Sequence, residues 1–241
     1  MSQGTAPGMT RRERLRAATV DEILGTARQL LVEQGAEATS LRAIAREMGM
    51  TAPALYRYFA SHEALLEGLC EQLKWELFGE LEAARDAQPD QEPLGQLFAV
   101  QRAFRGWAIA HPAEFSLVFA SVRPVAGDKG PDPSDPGHEM ALRFGQVFLE
   151  LLVRLWQQTR FPVRDAGEFS PPLRAQLERF VAVVGRPLPV GLAYVFLAGW
   201  ARLYGMVALE VFGHLGFALT DVEPMFEMEI NQFAADLATG G

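Results

Sequence analysis

The sequence predicts an all-α fold, with a three-helix helix-turn-helix head at residues 11–60 and a larger helical domain at residues 61–241. Three observations lead to it. Two short helical patterns flank a glycine turn in the stretch SLRAIAREMGMTAPALYRYF, from Ser40 to Phe59. Beyond it, apolar residues recur at helical spacing in successive segments to about Leu237. Hydrophobic residues make up 49% of a 241-residue chain, enough for one large or two modest cores that need no disulfide staples.

Residues 1–10, MSQGTAPGMT, are small, polar and Gly/Pro-bearing, and read as a disordered tail. From Arg11 onward Leu15, Ala18, Ile23, Ala27, Leu30 and Leu31 fall at helix spacing, and Gly35 stands where a left-handed cap would close the helix. Arg11, Arg12, Arg14 and Arg16 cluster at its start, either as ordinary solvated charge or as reach toward a nucleic-acid backbone. Ser40 is placed as the N-cap of a second helix, whose apolar face is Leu41, Ile44, Ala45 and Met48 and whose end is Gly49. Thr51 is the next N-cap, and Pro53 sits in the first turn, where its missing N–H costs nothing. This third helix runs to about Tyr58 with Leu55 and Phe59 inward, leaving Ala52, Pro53, Ala54, Arg57 and one or both tyrosines outward. Ser61 then caps a long helix to about Arg85, with leucines at positions 65, 66, 69, 73, 77 and 81.

After a break at 88–93, helices are expected at 94–110, 112–121, 137–158, around 171–183, at 189–212 and at 221–237. The stretch 124–136 has four prolines and two glycines among polar residues and reads as a loop. In 189–212 the small residues Ala198, Ala201, Gly205 and Ala208 share one stripe, which lets another helix approach closely. That helix is apolar nearly all round, so it should be covered on several sides. Met225, Phe226, Ile230, Phe233 and Leu237 of the last helix offer a partner face. Two such helices from each of two chains would make a four-helix dimer interface; the other reading is a core helix within one chain. A membrane span is not expected, because Arg202, Glu210 and His214 interrupt the apolar run and spanning takes about 20 consecutive apolar residues.

Charge and composition narrow the function. The net charge of −8 is polarised: the first sixty residues hold eight Arg against six Asp/Glu, a net of +2, which leaves −10 for the rest. The mildly basic end coincides with the helix-turn-helix pattern, and the acidic remainder should face away from phosphate. The lone Cys70 rules out an internal disulfide or a Cys-rich metal site and suits a reducing cytoplasm. His62, His111, His138 and His214 are isolated, and no phosphate-binding glycine loop or nucleophile elbow appears. No metal, no cofactor and no enzymatic activity are therefore expected.

A helix fits the major groove, and its N-terminal residues meet base edges while the preceding helix crosses the backbone. Small side chains at 52–54 allow close approach, and Arg42 and Arg57 are the side chains able to make bidentate contacts to guanine. The run GAEATSLRAIAREMGMTAPALYRYFASHEALL resembles the N-terminal domain of the TetR (tetracycline-repressor-like) family in Gly35, Ile44-Ala45, Gly49, Leu55-Tyr56, Phe59 and Leu65-Leu66. The resemblance covers roughly residues 12–70 and implies a sequence-specific DNA-binding regulator. It implies backbone-phosphate contacts for Ser40, Thr51 and Tyr56, and base or phosphate contacts for Arg42, Ala52, Pro53, Arg57 and Tyr58. His62 stands where the family usually has a phosphate-gripping lysine, so a shallower salt dependence and binding that strengthens toward pH 6 are expected. Trp200 and Gly205 also match a C-terminal subgroup of the family named for a Trp-His-Gly signature, with Tyr204 in the place of the histidine.

Aromatic residues Phe104, Trp107, Phe115 and Phe119, with Phe148, Trp156, Trp200 and Tyr204, either fill the second domain's core or line an apolar pocket. Arg105, Gln146, Gln157 and Tyr204 are the candidate polar anchors. The combined expectation is a cytoplasmic homodimeric repressor that leaves a palindromic double-stranded operator when a small hydrophobic effector binds. The rival is an all-α carrier or interaction module that has lost DNA binding.

Overall fold

The computed structural model describes residues 10–35, 39–120 and 136–239, with side-chain surroundings in the last segment from residue 144. Among these residues the chain is helical throughout, with no strand, as the sequence predicts. Ten α-helices run α1 (Arg11–Gln34), α2 (Leu41–Glu47), α3 (Ala52–Leu55), α4 (His62–Asp86), α5 (Pro93–Ala110), α6 (Pro112–Phe119), α7 (Pro136–Thr159), α8 (Pro171–Val184), α9 (Val190–Val211) and α10 (Glu223–Thr239). Most of the expected loop at 124–136, and the tail apart from Thr10, lie outside the described residues.

The chain divides into two compact units, Met1–Leu73 with Ala113–Arg123, and Lys74–Pro112 with Pro124–Gly241. In the first, α1 begins with a capping box: the Thr10 hydroxyl accepts from the Glu13 amide, and the Glu13 carboxylate accepts from the Thr10 amide at 2.7 Å. Those hydrogen bonds hold the Glu13 carboxyl below its ordinary range. Ile23, Leu24, Ala27, Leu30 and Leu31 form the buried stripe of α1. Leu15 and Ala18, read as part of that stripe, are instead solvent-facing, because the first turns of α1 extend past the neighbouring core. Gly35 has the expected positive φ of 84°, but its ψ of 173° is an extended setting open essentially to glycine alone, not a helical left-handed cap. Leu41, Ile44 and Ala45 of α2, Leu55 of α3 and Leu65 and Leu69 of α4 complete this core. Phe59 lays its ring against Gly68 of α4, where a Cβ would come 3.1 Å from Cε1.

Long-range contacts, and not chain order, place α6. Arg28 of α1 donates from Nε to Glu114 of α6 at 3.0 Å, with the Glu114 side chain only 4% exposed, and Phe115 beside it is fully buried. The Cys70 thiol also lies 3.7 Å from the Leu117 carbonyl as a weak donor. So α6 joins α1 and the first part of α4 in the first unit although it follows α5 in the chain.

In the second unit α5 packs on α7, α9 and α10, and α8 lies along α9. A core of Leu149, Leu152, Val153, Leu155, Phe161 and Leu192 gathers α7, its C-terminal exit and α9. Gly191 lets the start of α9 sit on the Arg164 carbonyl, where any side chain would collide with backbone. Ion pairs lace the helices together. Arg102 holds Glu227 through two bonds of 2.7 Å, Arg105 holds Glu210 likewise, and Arg202 bridges Glu229 and Asp236.

Candidate nucleic-acid interface

The reading helix is short by sequence design. Pro53 sets the first turn of α3, and after Leu55 the chain tightens: the amides of Arg57 and Tyr58 donate to the carbonyls three residues back, Ala54 and Leu55, at 3.3 and 2.9 Å. The helix expected to run to Tyr58 therefore ends as a tight turn, pulled inward by Phe59. Gly49, with φ of 63°, makes the bend from α2 that aims α3. Leu55 is wholly buried, which turns Thr51, Pro53, Tyr56 and Arg57 to solvent, with Ala52 and Tyr58 half-buried beside them. Tyr56 is 50% exposed, so its ring and hydroxyl are open to a partner.

Ser40 and Arg42 face solvent at the start of α2, and the Ser40 hydroxyl accepts from the Ala43 amide at 3.2 Å. Thr51 occupies the cap position of α3 without making a side-chain cap bond, so its hydroxyl is not engaged there. Ser61 caps α4, accepting from Ala64 at 3.2 Å. At His62, the first residue of α4, Nε2 is buried with no hydrogen-bond partner. A nitrogen without solvent access cannot meet a phosphate, so that contact has only Nδ1 to come from.

The arginines at the start of α1 become part of the site. Arg16 lies over the Tyr58 ring, 5.0 Å from its centroid, and its Nη2 donates to the Arg57 carbonyl at 3.4 Å. Arg11, Arg12, Arg16 and Arg57 border one open concavity of about 690 Å³ floored by Ala54 and Tyr58. Among the described residues no acidic side chain borders it. Four guanidinium groups around this concavity make an anion-attracting groove beside the outward face of α3.

The second unit holds an apolar cavity. Phe104, Phe144, Phe148 and Trp200 form a ring cluster with centroids 5.3–6.4 Å apart, and Tyr204 stacks on Trp200 at 5.8 Å. Phe148 and Trp200 line a small void of about 30 Å³ beside this cluster, together with Gln101. The other expected lining residues are placed elsewhere. Trp107 is buried, with its indole N–H on Glu76 at 3.1 Å; Trp156 packs on the α7–α9 core under Arg160. Phe115 and Phe119 pack against each other in the first unit, ring centroids 4.9 Å apart and tilted by 34°. Of the expected polar anchors, Arg105 is engaged by Glu210, and Gln146 and Gln157 face solvent. Gln101, which no sequence pattern singles out, is the buried polar group at the void.

The expected dimer stripe divides too. Ala198 and Ala201 are exposed and Gly205 and Ala208 half-buried, whereas Phe226 and Ile230 are buried in the protomer, at 1% and 4% exposure, and have no surface to offer a second copy. Phe226 packs under the Arg105 guanidinium instead. Phe233 is partly buried against α9. α9 is long and apolar enough to cross a membrane, with mean hydropathy 1.5, yet only 22% of its apolar window is buried in the protomer. Tyr194, Leu197 and Leu209 project from it, and Phe212 just past its end is exposed as well. Helices α5, α7, α8 and α10 pack on α9, yet among the described residues they leave this part of its apolar surface uncovered.

Among the described residues no three His, Cys, Asp or Glu side chains are grouped to hold a metal ion. Residues 23–69 match the family described as bacterial regulatory proteins, tetR family, and residues 97–233 match the tetracyclin repressor-like C-terminal domain. Over 229 residues the chain is 31% identical to the HTH-type transcriptional regulators Rv1816 of Mycobacterium tuberculosis and Mb1846 of Mycobacterium bovis, covering 94% of this chain and 94% of each relative. Among solved structures it is similar to the regulatory protein SCO4313, at 30% identity and a TM-score of 0.70, over 93% of this chain and 98% of that one. A tetR-family regulatory protein from Rhodococcus RHA1 shares the fold at a TM-score of 0.57 and 14% identity, over 92% and 96% of the two chains. With its outward α3, its arginine groove and these matches over nearly its whole length, the chain belongs to the TetR family of DNA-binding transcriptional regulators.

Proposed function

We propose that the protein is a cytoplasmic homodimeric repressor that binds a palindromic operator and is released from it by a small hydrophobic ligand. The observation that carries the DNA half is the pairing of the solvent-facing Thr51–Tyr58 turn with the groove bordered by Arg11, Arg12, Arg16 and Arg57. Backbone phosphates draw the arginines and fix the register, while Arg42, Arg57 and the small residues Ala52 and Pro53 meet base edges. Ser40, Thr51, Tyr56 and Tyr58 hold phosphates on either side.

One such head makes few base contacts, so affinity and specificity come from doubling. The exposed apolar face of α9, with Ala198 and Ala201 beside Tyr194 and Leu197, is the surface a second copy would cover, supported by its low burial in the protomer. On α10, Met225 and Met228 are the exposed apolar residues that would join it. A dimer whose α3 helices lie about 34–36 Å apart meets successive turns of the major groove. A ligand in the second unit lowers DNA affinity to the extent that it prefers a dimer with another spacing. The test is a gel shift on palindromic promoter fragments with sedimentation in parallel. Tyr56→Ala and Arg42→Ala should weaken or abolish the shift while the dimer persists; a monomeric wild type, or one that shifts no fragment at moderate salt, would overturn the reading.

A further inference from the structure

We propose that the void beside Gln101 is a ligand site closed by the Phe233 ring, and that it takes a neutral apolar molecule with one hydrogen-bond donor, an alcohol or a phenol. This rests on the ligand-responsive reading above and assigns the chemistry of the ligand.

Gln101 of α5 is 5% exposed, and its Oε1 is buried without a hydrogen-bond partner. Native interiors rarely leave an amide oxygen in that state, and an oxygen left so asks for a donor from outside the fold. Gln101 borders two voids, of about 30 and 20 Å³, each with room for about one water. The wall of the first is otherwise apolar, Leu97, Phe148, Leu152, Phe196 and Leu203, apart from the Trp200 indole. A bound water wants two to four polar partners, so this wall suits a hydrocarbon body better.

Phe233 of α10 borders both voids and also a recess of about 270 Å³ between α9, α10 and the segment 162–164. Its ring rests on Gly199 of α9, where a Cβ would come 2.8 Å from Cζ. The bare backbone at 199 is what lets the ring close the gap between the two helices. Phe233 is only partly buried, so it is not locked by core on every side. Swinging that one ring outward joins the two voids to the recess and gives a space at the lower end of ligand-pocket size.

The wall also selects. Among the described residues no charged side chain borders the first void, so an ionised group seated there would be desolvated without a counter-charge. Arg202, at the second void, is held by Glu229 and Asp236. Oε1 accepts and cannot donate, so a hydroxyl is matched and an ether or a carboxylate is not.

The probes are 4-tert-butylphenol and its methyl ether, 4-tert-butylanisole, titrated into the full-length protein by calorimetry and by tryptophan fluorescence. The phenol should bind about tenfold tighter than the ether, the margin set by one buried acceptor left unpaired. In Gln101→Leu, which keeps the volume and removes the acceptor, the two should bind within about twofold of each other. Phe233→Leu should speed association of both probes without changing the preference. Equal binding of the two probes by wild type, or a preference for the ether, overturns the proposal without any variant. If neither probe binds while the protein still shifts operator DNA, the site is overturned and the DNA-binding reading stands. If the phenol binds with the stated preference but leaves DNA affinity unchanged, the site is supported and release by such a ligand is what fails.

Discussion

Arg28 and Glu114 join α1 to α6 across 86 residues of sequence, and removing either charge should have unequal effects. The Arg28 side chain is 26% exposed and Glu114 only 4%. Arg28→Met keeps the aliphatic stem but leaves a buried carboxylate without its cation. Loss of a fully buried pair's partner costs about 3–5 kcal/mol, and the partial exposure of Arg28 places this case near 3. Glu114→Leu leaves instead a guanidinium that water can reach, at a cost of about 1 kcal/mol. The double variant replaces the pair with apolar side chains of similar volume and should return to within about 1 kcal/mol of wild type. The two single costs then fail to add by about 3 kcal/mol, the signature of a coupled pair. Urea unfolding at pH 7 measures this. All four tryptophans, at 75, 107, 156 and 200, lie in the second unit, so their fluorescence follows that unit while circular dichroism follows both. The loss should appear in circular dichroism at urea concentrations where fluorescence is unchanged. Equal single costs that simply add would refute the reasoning.

Two further outcomes follow from the same geometry. Ser40→Ala removes the bond to the Ala43 amide and should cost about 1 kcal/mol of stability, whereas Thr51→Ala, which breaks no cap bond, should leave the melting midpoint within error of wild type while weakening DNA binding. Acid should loosen α10: Glu227, held by hydrogen bonds from Arg102, and Asp236, held by Gln232 and then Arg202, both titrate below their ordinary values of 4.5 and 3.8. Their contribution is present above those values and is lost as pH falls through the lower folded-state values, so Arg102→Ala should flatten the stability loss below about pH 4.5 in a thermal-melt series.

Helix placement was legible because it depends on local signals. The caps Ser40 and Ser61, the prolines at the starts of α5, α6 and α8, and the positive-φ glycines 35 and 49 mark boundaries that the structure keeps to within a few residues. What the chain hid is long-range. The stripe of α1 looked continuous from Leu15 to Leu31, yet burial starts only where α1 meets its neighbours, at Ile23. Phe115 and Phe119 read as pocket lining because α6 follows α5, and nothing local announces that Glu114 will pair with Arg28. Phe226 and Ile230 looked like interface because an apolar stripe is the same whether its partner is another helix of the chain or another chain. Gln101 gave no signal at all: a polar residue on an amphipathic helix reads alike with or without a bond to its oxygen. Arg16 was visible as charge, but its seat over Tyr58 depends on how α1 and the turn after α3 meet.

The most direct test of the central claim is to let the purified protein choose its own site from fragmented genomic DNA and to sequence what it retains. Two α3 helices on one two-fold axis should return a palindrome, with half-sites centred about 10–10.5 base pairs apart or a whole multiple of that. The same enrichment with Tyr56→Ala should lose it. Recovery of no shared sequence, or of a lone half-site with no symmetric mate, would contradict a dimeric operator-binding regulator.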